Sequence, residues 1–368
     1  MKTQAGSLEM IRHLNQNLVL GIIRREEPVS RAQIAKELNL SRSTVSQIVD
    51  WLLENELIYE AGMEETSAKA CGRPGQMLRY NPVSSYILGI HLTHRESRLC
   101  LADLRGNPIA SSDYPPVADA EDVHAAIQDI LKTSGIPQEK VSRISISVPG
   151  SVNTEGKVLR CSRLHWRNYD LKRFLSAWYA SPIDINNDVN LALEGEQRFG
   201  NGRDCGSLVY LSLGKGVGCG ILSNGKVVAG HSFMAGEISY FPCEGIQDEN
   251  GRAMLLEQAV GLSSFGSQEA FEAAVAGYTR GEAQSVESIG RFIHMLSMTI
   301  AFITCLINPH RLIIGGRMSE AMEDLLEDIR ESVAATLPIP LDIQLGSLGE
   351  RACLVGALAH ALNQLDGE

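Results

Sequence analysis

Several features that would assign this chain to a particular class of protein are absent from its sequence. No run of about 18 uncharged apolar residues occurs, which argues against a membrane span. The N-terminal stretch MKTQAGSLEMIRHLNQN has no apolar core of the signal-peptide type. The eight Cys are scattered without a CxxC pair, so they are predicted to be reduced thiols. These absences predict a cytoplasmic protein without membrane contact.

An overall basic charge is also absent, because the 368 residues carry a net charge of −11. Residues 1–80 contain ten Lys/Arg and ten Asp/Glu, so residues 81–368 carry all of the negative charge. An acidic body repels phosphates, and any DNA contact is therefore predicted to lie in the N-terminal part. The length allows two or three domains.

The N-terminal part has the pattern of a winged helix-turn-helix. Residues 8–25 have the apolar spacing of a helix that ends before Pro28. Ser30 then precedes RAQIAKELN and Ser41 precedes RSTVSQIVDWLLENE, each in the position of a helix N-cap. Two short helices joined by a tight turn indicate a helix-turn-helix. LIYEAG and QMLRYN are predicted strands on either side of a wing, MEETSAKACGRPG.

The residues predicted to contact DNA lie on one face of this motif and in its wing. Polar side chains on the third helix suit phosphates and base edges, and an Arg on the extended GRPG backbone suits the minor groove. The alternative is a helical hairpin whose polar face is merely solvated. The predicted DNA-binding residues are Ser41, Arg42, Ser43, Thr44, Gln47 and Arg73.

The rest of the chain, from residue 81 onward, repeats one pattern of predicted strands and helices. Each half begins with a strand-turn-strand pattern and continues with helices and a buried strand, which predicts two mixed α/β lobes across a cleft. The segment INNDVNLALEGE at 185–196 joins a strand end to a helix. Asp188 in this segment is open to three interpretations: a catalytic base, a ligand-binding residue or a helix cap.

Motifs along nearly the whole chain resemble the ROK family, which contains sugar-responsive repressors and sugar kinases on the actin-like ATPase fold. They are the helix-turn-helix, GRPG, VPGSV, LHW, NND, LGKGVGCGILSNGKVVAG, AGEI and INPHRLIIGG. The N-terminal domain resembles the repressors. The implied domains are a winged helix-turn-helix at 1–80, a first α/β lobe at 81–184 plus about 346–368, and a second lobe at 185–345.

Against this resemblance, the parts that a kinase needs are altered. His91, Thr93 and Arg95 stand where the family's phosphate loop has DxGxT, and Lys215 replaces the usual Thr of the second loop. The glycines of that loop are equally compatible with a tight hairpin, and the pair Gly315-Gly316 with an ordinary turn. The sequence therefore predicts that the protein uses neither ATP nor any other cofactor. It also predicts that the protein is not an enzyme.

The family's zinc site is likewise incomplete. Tyr240 occupies the position of a His, and only Cys243 remains of the Cys cluster that follows it. A structural zinc site needs about four nitrogen or sulfur ligands. The sequence predicts no bound metal and a packed thiol at Cys243.

The sugar-binding side of the resemblance is better preserved. The implied ligand-binding residues are Gly150, Asn187, Asp188, Glu237, Tyr240 and Glu257. Carboxylates accept hydrogen bonds from vicinal hydroxyls, which makes this set suitable for a sugar. Two alternatives stay open, a helix cap at Asp188 and solvated or ion-paired acids at Glu237 and Glu257. Arg163 near LHW either favours an anionic sugar or points into solvent.

Together these features predict a transcriptional repressor controlled by a small carbohydrate bound in a kinase-like domain that has lost catalysis. The predicted partners are a double-stranded DNA operator, the carbohydrate, and further copies of the chain in a homodimer or a dimer of dimers. The alternatives are an ATP-dependent sugar kinase with a fused DNA-binding domain and a regulator titrated by a protein partner.

Overall fold

The structure is a computed structural model that describes residues 3–63, 75–247 and 253–367. The chain divides into two compact units, one ending at Ser85 and the other beginning at Tyr86. The division lies five residues beyond the predicted domain limit at 80, because Asn81 and Ser84 still bond within the first unit.

The first unit is a winged helix-turn-helix. Its helices are α1 (Thr3–Glu26), α2 (Arg31–Glu37) and α3 (Arg42–Glu54), and its strands are β1 (Val29–Ser30), β2 (Ile58–Met63) and β3 (Gln76–Tyr80). The strands form an antiparallel sheet in the order β1-β3-β2. Ser30 closes a capping box with Gln33 at the start of α2, and Ser41 caps α3 by accepting from Thr44 N. The local sequence signals therefore define both helix starts.

Helix α1 buries a different face from the one its apolar spacing indicates. Ile22 is buried, whereas Ile11, Leu14 and Leu18 of the same stripe are 52%, 58% and 45% exposed. The helix contacts α3 and β3 through the neighbouring face that includes Val19. Periodicity identified the helix but not its inward side, because the position of its packing partners selects that side.

The second unit contains two five-stranded sheets. The elements of its first half are β4 (Tyr86–Leu92), β5 (Ser97–Asp103), β6 (Pro108–Tyr114), α4 (Ala120–Ser134), β7 (Val141–Val148), β8 (Ser151–Val152), β9 (Val158–Cys161), β10 (Trp166–Tyr169), α5 (Leu171–Leu175), β11 (Ile183–Asn187) and α6 (Asp188–Phe199). The sheet order is β11-β7-β4-β5-β6, with β11, β7 and β4 parallel and the last two strands antiparallel. Strands β8, β9 and β10 form a small separate sheet.

The second half repeats this topology. Its elements are β12 (Leu208–Leu213), β13 (Val217–Ser223), β14 (Lys226–Val227), β15 (Pro242–Gln247), β16 (Ala253–Leu255), α7 (Leu256–Val260), α8 (Gln268–Thr279), α9 (Ala283–Ile307), β17 (Arg311–Gly315), α10 (Leu326–Ala334), β18 (Asp342–Leu345) and α11 (Ala352–Gly367). The sheet order is β14-β13-β12-β17-β18, again with three parallel and two antiparallel strands. This duplication is the two-lobed architecture that the repeated sequence pattern predicts.

Helices α6 and α11 connect the two sheets. A Cβ at Gly195 would lie 2.9 Å from Gly356 N, and one at Gly356 would lie 1.9 Å from Leu191 O, so both crossing positions have to be glycine. Helix α11 also contacts β4 and β7, in agreement with the predicted return of the C-terminal segment to the first lobe. The predicted lobe boundary at 184/185 needs correction, since it falls inside β11, which continues to Asn187 in the first sheet.

One helix, α9, is long and apolar enough to cross a membrane by length and composition, although half of its most apolar window is buried in the protein. Ile289, Phe292, Leu296 and Ile300 pack into the core of the second lobe. This burial is typical of the core helix of a globular domain. The opposite face of α9 leaves Met298, Phe302 and Leu306 exposed.

Candidate functional site

A cavity of about 1460 Å³ lies in the second unit, lined by residues of both of its lobes. The carboxyl ends of β7 and β11 and the turns β4–β5 and β12–β13 all contribute to its wall. Ligand sites of α/β proteins commonly form at such strand ends. All six residues predicted to bind ligand line this cavity, so the fold brings together positions that are far apart in the sequence.

The cap of helix α6 is Asn187 rather than Asp188. Asn187 Oδ1 accepts from Val189 N at 2.9 Å and from Asn190 N at 3.1 Å, and its Nδ2 donates to Gly150 O at 3.1 Å. Asp188 is the first residue of the helix and accepts from Val189 N at 2.9 Å through Oδ1. The cap function considered for Asp188 therefore belongs to its neighbour, and Asp188 Oδ2 is left for other partners.

The environment of Asp188 suits a hydrogen-bond acceptor. Burial raises the pKa of Asp188 to about 6, while nearby Arg163 acts to lower it and Glu237 to raise it further. The side chain is consequently ionised at neutral pH but loses its charge in mildly acidic solution. An ionised carboxylate at a cavity wall can accept hydrogen bonds from two adjacent hydroxyls.

Two further carboxylates lie close to Asp188. Glu237 precedes the 3₁₀ turn Ile238–Tyr240, and Glu257 is on α7. Burial, followed by the charge of Glu257, raises the pKa of Glu237. Both acids line the cavity, and no ion pair neutralises Glu237 or Glu257 within the described residues. Tyr240 lies at the edge, where its side chain is 57% exposed.

Gly150 has a structural reason to be glycine as well as a place in the cavity wall. A Cβ at this position would lie 2.3 Å from Arg160 O and 2.9 Å from Cys161 Cα on β9. Close packing against that strand excludes any side chain. This packing requirement alone explains the glycine. The approach of a ligand to the Gly150 backbone stays a prediction.

The turn between β4 and β5, which the resemblance matches to the phosphate loop of family kinases, bonds three of its amides within the turn itself. Thr93 Oγ1 accepts from Arg95 N at 3.2 Å and from Glu96 N at 3.1 Å, and Thr93 N donates to Glu96 O. His91 lies 3.1 Å from Ser147 Oγ through Nδ1, and burial, assisted by Arg98, lowers its pKa to about 4. A neutral imidazole therefore stands where metal binding would need an anion.

Three glycines of β13 and β17 serve packing. A Cβ at Gly218 would lie 2.8 Å from Val189 Cγ2, and one at Gly220 would lie 3.1 Å from Leu193 Cβ, both on α6. A Cβ at Gly315 would lie 2.2 Å from the hydroxyl of Tyr210. Each of these glycines is explained by contact between elements, without reference to a nucleotide.

No group of three potential metal ligands occurs in the described parts of the chain. Cys243 is buried in the core of the second lobe, where a packed thiol is predicted. Since residues 248–252 are not described, the absence of zinc stays a prediction.

On the first unit, the predicted DNA-binding residues of α3 fall into two groups. Arg42 and Gln47 are exposed, and their side chains make no hydrogen bond or ion pair with the described residues. The hydroxyls of Ser41, Ser43 and Thr44 are bonded to one another, with Ser41 Oγ 2.8 Å from each of the other two. Arg73 in the wing lies outside the described residues.

A hydrogen-bonded network at the cavity wall has no counterpart among the predicted residues. His360 on α11 lies 3.0 Å from the Glu194 carboxylate through Nδ1 and 3.2 Å from Asn186 Nδ2 through Nε2. Burial acts to lower the pKa of His360, but the bond to Glu194 outweighs it and the pKa is raised. Only folding brings these residues together, and no local spacing in the sequence indicates their contact.

Family models identify both parts of the chain. The ROK family model matches residues 87–364, which is most of the sequence. The chain belongs to the ROK family. The MarR family model matches residues 13–60, the region of α1 to α3. The family and the two-part fold predicted from the motifs are thereby confirmed.

Individual relatives are similar over nearly the whole length. The chain is 26% identical to a putative xylose repressor of Caldicellulosiruptor sp. (strain Rt8B.4), covering 98% of both chains. It is 24% identical to the DNA-binding transcriptional dual regulator NagC of Escherichia coli (strain K12), covering 90% of this chain and 87% of that protein. Both relatives are named as regulators, which confirms the predicted class, a transcriptional regulator in place of a kinase.

Among solved structures, a ROK family transcriptional regulator described as a homologue of the E. coli MLC protein is similar at a TM-score of 0.79. The identity is 24%, and 97% of each chain is covered. This likeness confirms the fold over both units.

Proposed function

We propose that this protein is a repressor whose affinity for an operator is controlled by a small carbohydrate bound in the cavity of the second unit. The observation that carries this proposal is that two adjacent residues at the start of α6 have different roles. Asn187 caps the helix, so Asp188 remains available beside Glu237 and Glu257. Three acceptor carboxylates around one cavity match the hydroxyl donors of a sugar.

Two features oppose the kinase alternative. The amides of the first turn bond to Thr93, and His91 is a neutral base at the position of a metal-organising acid. Phosphoryl transfer requires an organised metal and phosphate-binding amides. The protein therefore retains a sugar pocket without the parts that would transfer phosphate to the sugar.

Control of DNA binding requires that the carbohydrate bind one conformational state of the protein more tightly than the other. The proposed DNA contacts are those predicted on α3 and in the wing, Ser41, Arg42, Ser43, Thr44, Gln47 and Arg73. Because the chain acts on DNA, the proposed location is the cytoplasm.

We further propose that the protein acts as a homodimer, alone or paired into a dimer of dimers. Phe302 packs against Phe241 with tilted rings whose centroids are 5.3 Å apart, and both are about half exposed, as is Met298, while Leu306 is 67% exposed. Such an apolar surface is typical of an interface. A dimer has two winged helix-turn-helix domains, which can bind two DNA half-sites about one helical turn apart, roughly 34–36 Å. Phe302→Asp is expected to yield monomers in sedimentation velocity; an unchanged sedimentation coefficient would place the interface elsewhere.

The central experiment is a gel-shift titration with an operator selected by the full-length protein from random DNA. A panel of aldoses, ketoses and their derivatives is added, and at least one member is expected to change the operator affinity. Asp188→Ala is expected to shift that response to ~10- to 100-fold higher sugar concentration while apo operator binding stays near normal. Sugar-dependent release of ADP from ATP would instead identify a kinase, and a response only to a cytosolic protein would identify a titrated regulator.

A further inference from the structure

The charge of the cavity differs from that of the body around it. Seven Lys/Arg and six Asp/Glu line the cavity, whereas the protein as a whole has a net charge of −11. The carboxylates include Asp188, Glu237 and Glu257, which suit hydroxyl groups. Arg98 and Arg317 are paired with Glu96 and Glu350. Arg163 and Lys215 have no ion-pair partner within the described residues, and a neutral sugar does not need them, so they suit a second kind of ligand group.

Arg163 ends inside the cleft. It follows β9 in the first lobe, and a Cβ at Gly216 in the β12–β13 turn would lie 2.8 Å from Arg163 Nη2. The same Cβ would lie 3.7 Å from Glu257 Oε2, so the guanidinium reaches the second lobe beside the carboxylates. Arg163 as a whole is exposed, so it is open to solvent, but its guanidinium also lines the cavity. Because residue 216 is a glycine, there is space for the Arg163 guanidinium to extend from the first lobe to the second.

Arg163 belongs to a cationic group formed by Arg95, Arg163 and Lys215, which line the same part of the cavity wall as His94. Burial lowers the pKa of His94, and the charges of Arg163, Lys215 and Arg95 lower it further, which favours the neutral imidazole. His94 Nδ1 is buried without a hydrogen-bond partner. Within the described ranges, neither Arg163 nor Lys215 has a carboxylate within the 4.0 Å of an ion pair.

Backbone amides do not supply an alternative anion site in the first turn. The N–H groups of Thr93, Arg95 and Glu96 donate to oxygens within the turn itself. An anion beside this turn would thus depend on side chains. Arg is well suited, because its planar guanidinium can bind a phosphate or a carboxylate through two parallel hydrogen bonds.

We propose that the effector is an anionic sugar, whose phosphate or carboxylate binds Arg163 and Lys215 while its hydroxyls donate to Asp188. This inference rests on the proposed function, because it assigns the ligand class of the same cavity. Arg163 stands where the two parts of the ligand meet, since its charge acts on both Asp188 and His94. A neutral sugar would occupy only the carboxylate side.

Isothermal titration of the full-length protein at constant ionic strength tests the proposal. Glucose, mannose, galactose and N-acetylglucosamine are each compared as the neutral sugar, the 6-phosphate and the uronic acid. In at least one series an anionic form is expected to bind ~10- to 100-fold more tightly than its neutral parent, as for a hydrogen bond to a charged group. The phosphate and uronate arms identify which anion is recognised.

Substitutions locate the anion site. Arg163→Gln is expected to remove the advantage of the anionic form, weakening its binding at least ~10-fold more than the binding of the neutral parent. Lys215→Met, at an exposed position, repeats the test if Arg163→Gln does not fold. Arg291→Gln is the matched control, because Arg291 is an exposed residue of α9 outside the cavity, and it is expected to change neither affinity.

Each contrary result has a distinct meaning. If a neutral parent binds as tightly as both of its anionic forms, or if Arg163→Gln weakens both forms equally, the anionic effector is wrong while the sugar-controlled repressor stands. If inorganic phosphate alone binds as tightly as any sugar anion, the cationic group is a free-anion site and the inference is again wrong. If no sugar form binds and none alters operator affinity, the proposed function fails with it.

Discussion

Asn187 and Asp188 both accept from Val189 N, but only Asn187 also bonds to Asn190 N and Gly150 O, and single substitutions can separate the contributions of the two residues. Asp188→Ala removes an acceptor from the cavity, so ligand affinity is expected to fall ~10- to 100-fold, as for a lost hydrogen bond to a charged group. Asn187→Ala removes two bonds to the start of α6 and is expected to cost roughly 1 kcal/mol of stability. Calorimetry of ligand binding and of unfolding on both variants checks this assignment. A loss of stability without a loss of affinity in Asp188→Ala would return Asp188 to a structural role.

The pKa of Asp188 gives ligand binding and stability opposite dependences on pH. With a folded pKa raised to about 6, the native state binds more protons than the unfolded state between about pH 4 and 6. The contribution of Asp188 to stability therefore decreases as pH rises through this window. Ligand affinity is expected to increase over the same window, because only the ionised form accepts two hydrogen bonds. Titrations at several pH values check this, and Asp188→Asn should show a weaker dependence of affinity on pH, with the remainder due to Glu237, whose pKa is also raised.

At the scale of elements, the crossing of α6 and α11 depends on glycine. A Cβ at Gly195 would meet the backbone of α11 at Gly356 N and Ala352 O, at 2.9 and 3.0 Å, so Gly195→Ala is expected to cost about 1–3 kcal/mol through overpacking. Gly290 on α9 is the matched control, because no atom lies within 4 Å of its added Cβ. Gly290→Ala is expected to stabilise the protein by roughly 0.5–1 kcal/mol. Chemical denaturation measures both, and equal effects in the two variants would contradict the close crossing.

At the scale of the whole molecule, DNA affinity is assigned to the first unit. Arg42 is exposed at the start of α3, so Arg42→Ala is expected to weaken operator binding and to reduce the salt dependence by about one phosphate contact. Arg73→Ala is expected to act mainly on operators with A·T-rich flanks. The control is Arg291→Ala on α9 in the acidic second unit. Fluorescence anisotropy at several salt concentrations checks the three variants. Unchanged operator binding by an Arg42→Ala, Arg73→Ala double variant would exclude α3 and the wing as the DNA-binding surface.

The sequence by itself determined the two-part organisation, the helix starts at Ser30 and Ser41 and the six positions that meet in one cavity. These features depend on local capping chemistry and on motifs that are readable along the chain. Tertiary structure alone decided which face of α1 is buried, because that depends on where α3 and β3 lie. It also decided that Asn187 caps α6, since the choice between adjacent polar residues depends on backbone angles at the strand end. The contact of Glu194 with His360 and the reach of Arg163 to Gly216 join distant segments, and only packing brings such segments together.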